Sequence, residues 1–146
     1  MPSAGPDGTD DDVVELVVAG DAGVDAVLDV LGALWAARPG EVPDQDRFCF
    51  ETAVAEVVGN AVRHGGGDAT TVRAAVVRDT GGHATALRAD VVDHGPPIDL
   101  AAYVDLPDDD AESGRGLALA RRAVTTLACD RAGDANHWLV VRRVGG

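Results

Sequence analysis

The chain contains no lysine. All twelve of its basic residues are arginine, set against 25 Asp and Glu in 146 residues. A phosphate-binding loop of the G-x-x-x-x-G-K-[ST] form requires its lysine, and so does Schiff-base chemistry, so both are excluded. A formal net charge of −13 argues against direct nucleic-acid binding, because phosphate backbones are held by Lys and Arg in excess. The same charge favours electrostatic steering of a basic protein partner. Aromatic residues make up only 3% of the chain, so a core has to be built from Val, Leu and Ala. The two cysteines, Cys49 and Cys129, form no C-x-x-C or Cys/His ligand pattern and read as reduced, partly buried thiols. No apolar run approaches the length of a membrane span, and no basic segment precedes an apolar one in the manner of a signal peptide. No membrane contact and a cytoplasmic location are therefore expected.

Hydrophobic residues are 46% of the chain, enough for one folded domain with a proper core. Residues 1–11 are rich in Pro, Gly, Ser and Asp and read as a disordered tail; 12–146 read as a single domain. Val13 to Ala19 is a short β-rich run. Asp21 to Ala37 has helical periodicity through Val24, Val27, Leu28, Leu31 and Leu34, ended by Pro39-Gly40. Asp44 is a candidate N-cap for a helix running to about His64 and stopped by Gly65-Gly66-Gly67. Strands are expected near Thr71–Arg78 and Ala84–Val92, joined through Thr80-Gly81-Gly82. Asp99 to Ser113 is an acidic loop. A helix then opens at Gly114-Arg115-Gly116 and runs through Leu117 and Val124 to Leu127. A short strand near Cys129 and a longer one from Trp138 to Val144 close the chain.

Three stretches carry polar residues that packing does not require. In FETAVAEVVGNAVRHGGG, Phe50, Val54, Val57, Val58 and Ala61 make an apolar stripe, and Glu56 and Asn60 border it, about 40° apart around the helix axis. An amide oxygen facing a cleft is a hard ligand that suits Mg²⁺, and a carboxylate one turn away can take a proton from an attacking hydroxyl. His64, a further turn along, reads as a capping or packing histidine. In VVDHGPPID, Asp93 ends an apolar strand. It is either an Asx-type turn residue or an acceptor at the floor of a pocket, suited to an exocyclic amine such as that of adenine. Gly95 permits close approach of the backbone to a flat ring. In ESGRGLALARR, Gly114 and Gly116 open a helix whose free N–H groups suit phosphate, and Arg115 adds a charged donor.

The order of these stretches, E-x-x-x-N-A-x-x-H-G, D-x-G, then G-R-G-L, resembles the N, G1 and G2 boxes of the GHKL (histidine-kinase-like) ATPase superfamily. More closely, the chain resembles the RsbW-like anti-sigma-factor serine kinases over about Val13 to Val144. DHGPPIDL is similar to that branch's D-x-G-x-P-F-D-P stretch, with Ile98 for Phe and Leu100 for Pro. The resemblance implies an α+β, two-layer sandwich of the Bergerat type, with a mixed, mostly antiparallel sheet and helices on one face. It implies ATP and Mg²⁺ as cofactors, with Glu56 as general base, Asn60 as metal ligand and Asp93 as adenine acceptor. Gly95, Gly114, Arg115, Gly116, Leu117 and Asn136 would complete the nucleotide site. The implied function is an anti-sigma factor that sequesters a sigma factor and phosphorylates a serine on a STAS-type anti-anti-sigma protein, as a homodimer. The alternative is an ATP-gated binding module with negligible transfer. Two departures stand out: Pro97 replaces the second glycine of D-x-G-x-G, and the segment Asp99 to Ser113 has no basic residue.

Overall fold

The computed structural model describes residues 12–20, 22–64, 69–100 and 115–145. The elements run β1 (Asp12–Val18), α1 (Gly23–Ala36), α2 (Asp44–His64), β2 (Thr70–Arg78), β3 (Ala84–Asp93), α3 (Arg115–Ala123), β4 (Thr126–Ala132) and β5 (Ala135–Arg143). The strands form one sheet in the order β1-β2-β3-β5-β4, and every described pairing is antiparallel. The expected two-layer α+β architecture is met. The tail at 1–11, the glycines at 65–67 and all of the acidic loop beyond Leu100 lie outside the described residues.

Helix α2 is the centre of the second layer, packing on β2, β3, β5 and both other helices. Its apolar stripe, Phe50, Val54, Val57, Val58 and Ala61, is sealed from solvent, and the edge of the Trp35 ring meets Phe50 at 6.2 Å between centroids. Burying one such side chain contributes about 1.5–3 kcal/mol, so the stripe fixes which face of α2 turns to the sheet. Acidic residues in the first turn (Asp44, Asp46) and basic ones in the last (Arg63, His64) complement the helix dipole. Asp44 is itself the first helical residue, paired with Arg47.

On the sheet, alternation does the sorting. Val72, Ala74 and Val76 of β2, Leu87, Ala89 and Val91 of β3, and Trp138 and Val140 of β5 all turn to the helices and are buried. The β2–β3 hairpin is closed by Asp79. Its Oδ1 accepts from the N–H groups of Gly81 and His83, both at 2.9 Å, and Gly82 takes φ +84, a conformation glycine adopts at no steric cost. Those backbone hydrogen bonds, led by that from His83, hold the Asp79 carboxyl below its usual pKa.

The third helix is shorter than its periodicity suggests. It ends at Ala123, and Leu127, expected within it, lies in β4. The β-branched run Val124-Thr125-Thr126 disfavours continued helix, and the Arg142 guanidinium donates to the Ala123 carbonyl at 3.0 Å. The same Arg142 reaches buried Asp46 at 2.9 Å, and Asp46 also accepts from the Gly145 N–H at 2.9 Å. The start of α2, the end of α3 and the end of β5 are thereby tied at one point.

Candidate nucleotide-binding site

The end of α2, the end of β3 and the start of β5 enclose a cavity of about 160 Å³, lined by Asn60, Ala61, His64, Asp93, Pro96, Pro97, Ile98 and Asn136. Two of the three sequence stretches therefore converge. Asp93 and Asn136 are paired directly across the β3–β5 ladder, so strand register sets them side by side. Pro96, Pro97 and Ile98 supply apolar surface of the kind that packs against a flat ring.

Asp93 is buried and fully engaged. Its Oδ1 accepts from the Gly95 N–H at 2.8 Å and from Asn136 Nδ2 at 3.0 Å, and its Oδ2 accepts from Trp138 Nε1 at 2.7 Å. Asn136 is held equally firmly. Its second amide hydrogen goes to the Pro96 carbonyl at 2.9 Å, and its Oδ1 accepts from Arg131 Nη1 at 3.1 Å. Arg131 Nη1 also donates to the Gly95 carbonyl at 2.6 Å. The turn after β3 is thus an Asx turn and a pocket wall at once; the two readings of Asp93 are not exclusive.

Gly95 is required here for a reason different from ring approach. A Cβ at this position would lie 2.7 Å from the His64 carbonyl oxygen and 3.0 Å from Asp93 Oδ1. The glycine lets the turn close onto the end of α2. His64, expected to cap or pack, lines the cavity with its side chain exposed.

Asn60 is buried at the cavity wall, and among the described residues its side-chain amide makes no hydrogen bond. The amide is not sealed from solvent, since among the described residues it is not one of the fully buried unpartnered polar groups, and an accessible amide oxygen at a cavity wall fits a hard cation. Among the described residues no three His, Cys, Asp or Glu side chains cluster to hold a metal by themselves. That donor set fits Mg²⁺, which takes one or two protein ligands and completes its shell with phosphate and water.

Glu56 does not line this cavity. It is half-buried one turn back on α2, in contact with the first turn of α3, where a Cβ on Gly116 would overlap its carboxylate. It faces an open groove of about 300 Å³ between α1 and α2, shared with Leu28, Phe48, Glu51, Thr52 and Ala55. Arg115 is the first residue of α3, so the helix opens where the G2 stretch predicts. The Leu117 side chain is buried in the hydrophobic core, which leaves its backbone N–H as the group available to a ligand. Gly114 lies outside the described residues.

A family model described as a histidine kinase-like ATPase domain matches residues 17–143. The chain belongs to this family. A search of the curated proteins finds no match. Among solved structures, the RsbU and RsbW domains of Rv1364c from Mycobacterium tuberculosis share the fold, with a TM-score of 0.56 and 23% identity over 90% of this chain. This chain spans about a third (32%) of the length of that one. The Acinetobacter baumannii histidine kinase AdeS gives a TM-score of 0.49 at 17% identity, over 94% of this chain and 68% of that one. The catalytic domain of histidine kinase ThkA gives 0.49 at 12%, over 91% and 96%. The family match supports an ATP site in the domain at the level of the family. Among the described residues no helix is long and apolar enough to cross a membrane.

Trp138 and Arg131 also belong to this polar cluster, though no local motif singles them out. The signal was present in the period of two: Trp138 shares a strand face with Asn136, and Arg131 is the β4 residue in register with Asn136.

Proposed function

We propose that this domain is an ATP-dependent protein serine kinase of the anti-sigma type. ATP would lie with adenine at Asp93 and with its phosphates toward the first turn of α3. The observation that carries the reading is the position of Glu56. Its carboxylate touches the opening turn of α3 on one side and an open surface groove on the other. A hydroxyl presented by another protein therefore reaches this carboxylate from solvent, while the nucleotide occupies the cavity behind it. In the transfer step the serine Oγ–P bond forms, the bond from the γ-phosphorus to the ADP oxygen breaks, and Glu56 takes the hydroxyl proton. When bound at Asn60, Mg²⁺ would neutralise charge on the phosphates. The sigma factor, the anti-anti-sigma substrate and the homodimer are proposals that rest on the resemblance of the three boxes to the RsbW-like branch.

A second reading, an ATP-gated binding module, draws on the same contact. A carboxylate at the positive end of a helix stabilises by itself, by about 0.3–1 kcal/mol, so in this reading Glu56 caps α3 without being a base. Glu56→Gln separates the two. A positioned base contributes about two to four orders of magnitude in rate, so label transfer from ATP to the acceptor should collapse in the variant while ATP affinity and sigma-factor pull-down persist. Unchanged transfer removes Glu56 as base; loss of ATP binding as well assigns it to structure.

A further inference from the structure

We propose that Trp138 is a positioning residue that sets the selectivity of this pocket for the 6-amino group of adenine. The inference rests on adenine lying at Asp93. An ionised carboxylate offers about four acceptor sites, two on each oxygen. Oδ1 of Asp93 has both of its sites filled, by the Gly95 N–H and by Asn136 Nδ2. Oδ2 has one filled, by the indole N–H of Trp138 at 2.7 Å. One acceptor site remains, and it is on Oδ2.

The indole determines which one. Asn136 spends both amide hydrogens on Asp93 and Pro96 and is itself held by Arg131, so Oδ1 is closed to ligand. Trp138 is 1% exposed, packed in the core, and a rigid bicyclic donor does not swing as a hydroxyl would. With its N–H fixed on Oδ2, the carboxylate cannot rotate without breaking three hydrogen bonds. The cavity is thus presented with one acceptor in one direction, which matches a single amine hydrogen. Remove the indole donor and Oδ2 has two open sites, one of them available to water, and the carboxylate loses its anchor on that side. Selectivity then falls while the apolar and phosphate contacts remain.

The test compares ATP with purine riboside triphosphate, which differs only in lacking the 6-amino group, by titration calorimetry on wild type and Trp138→Phe. A hydrogen bond to a charged group corresponds to about tenfold or more in affinity, and the wild type should prefer ATP by that factor. In Trp138→Phe the preference should shrink to roughly threefold or less, by weakening ATP and leaving the analogue nearly unchanged. A purely structural role weakens both ligands equally and keeps the ratio; that result overturns the proposal. Equal binding of both nucleotides by the wild type refutes adenine at Asp93, and the proposal with it. If Trp138→Phe does not fold, Trp35→Phe leaves Trp138 as the sole indole. Its emission should then respond to ATP more strongly than to the analogue, and equal responses overturn the proposal.

Discussion

Gly116 has no room for a side chain, because the Glu56 carboxylate fills the space a Cβ would take. The sequence marks this glycine through its place in G-R-G-L but gives no hint of that neighbour, since sixty positions of chain separate the two residues and only the packing of α3 on α2 joins them. Gly116→Ala should displace Glu56 or lift the first turn of α3. Because the overlap is with the far end of a flexible, half-buried side chain beside an open groove, Glu56 can turn aside at little cost, and the expected outcome is lost phosphoryl transfer with the denaturation midpoint little changed. Retention of full transfer by a stably folded Gly116→Ala protein would show that the contact is dispensable. Cys129 makes a second residue-level case. Burial raises its pKa to about 11, with Asp93 and Asp130 adding to the shift. Alkylation by iodoacetamide should be slow at pH 7 in the native protein and fast in denaturant. Because the folded value lies above the ordinary one of 9.0, the folded state holds this proton more tightly. The associated stability is present below about pH 9 and is lost as pH rises through about 11. Melting curves across that window, with Cys129→Ala as control, measure it.

At the scale of elements, helices and strands with clean periodicity were legible. The stripe from Phe50 to Ala61 and the alternation in β2 and β3 name their own buried faces. What was not legible was the junction after α3. Leu117, Ala120, Val124 and Leu127 continue a helical spacing, and only the tertiary bond from Arg142 to the Ala123 carbonyl, with the β-branched run that follows, explains why Leu127 belongs to a strand. The tie between Asp46 and Arg142 was equally invisible, because ion pairs between distant elements leave no local pattern. Breaking a buried pair by removing one partner costs about 3–5 kcal/mol. Arg142→Leu should lower stability by about 3 kcal/mol in urea titration, whereas exchange of Arg88, whose contact with Asp90 lies on the exposed sheet face, should cost no more than about 1 kcal/mol.

At the scale of the molecule, the charge of −13 acts on everything at once. Self-repulsion destabilises a compact chain of high net charge, and counter-ions screen it over a Debye length of about 30 Å at 0.01 M salt and about 3 Å at 1 M. The melting temperature should therefore rise with added sodium chloride, while association with a basic partner should slow by an order of magnitude or so over the same range. Stopped-flow association and thermal melts at matched salt check both, and opposite signs for the two effects distinguish this origin from specific ion binding. The candidate site was legible at this scale in part. The order of three short boxes along the chain resembles one superfamily closely enough to bring Asn60, Asp93 and Asn136 together before any coordinates. The division of labour was not, because which side of α2 Glu56 faces depends on how α1 and α3 pack around it.

Asp93 and Asn136 face each other across β3 and β5 because the ladder counts them into place. The polar end of the cavity is therefore spelled by strand registration, two letters read from distant lines of the same text. Deleting one residue early in β5 would keep a passable strand, yet it would bring a neighbour of opposite orientation to the seat of Asn136 and carry Trp138 away from Asp93. Any fragment that ends before Asn136 keeps Asp93 but loses the two side chains that hold it. On the proposed reading, nucleotide capture would serve as a proofreader of the assembled sheet, since an apolar pattern that pairs out of step can still collapse but would have no place to seat the base.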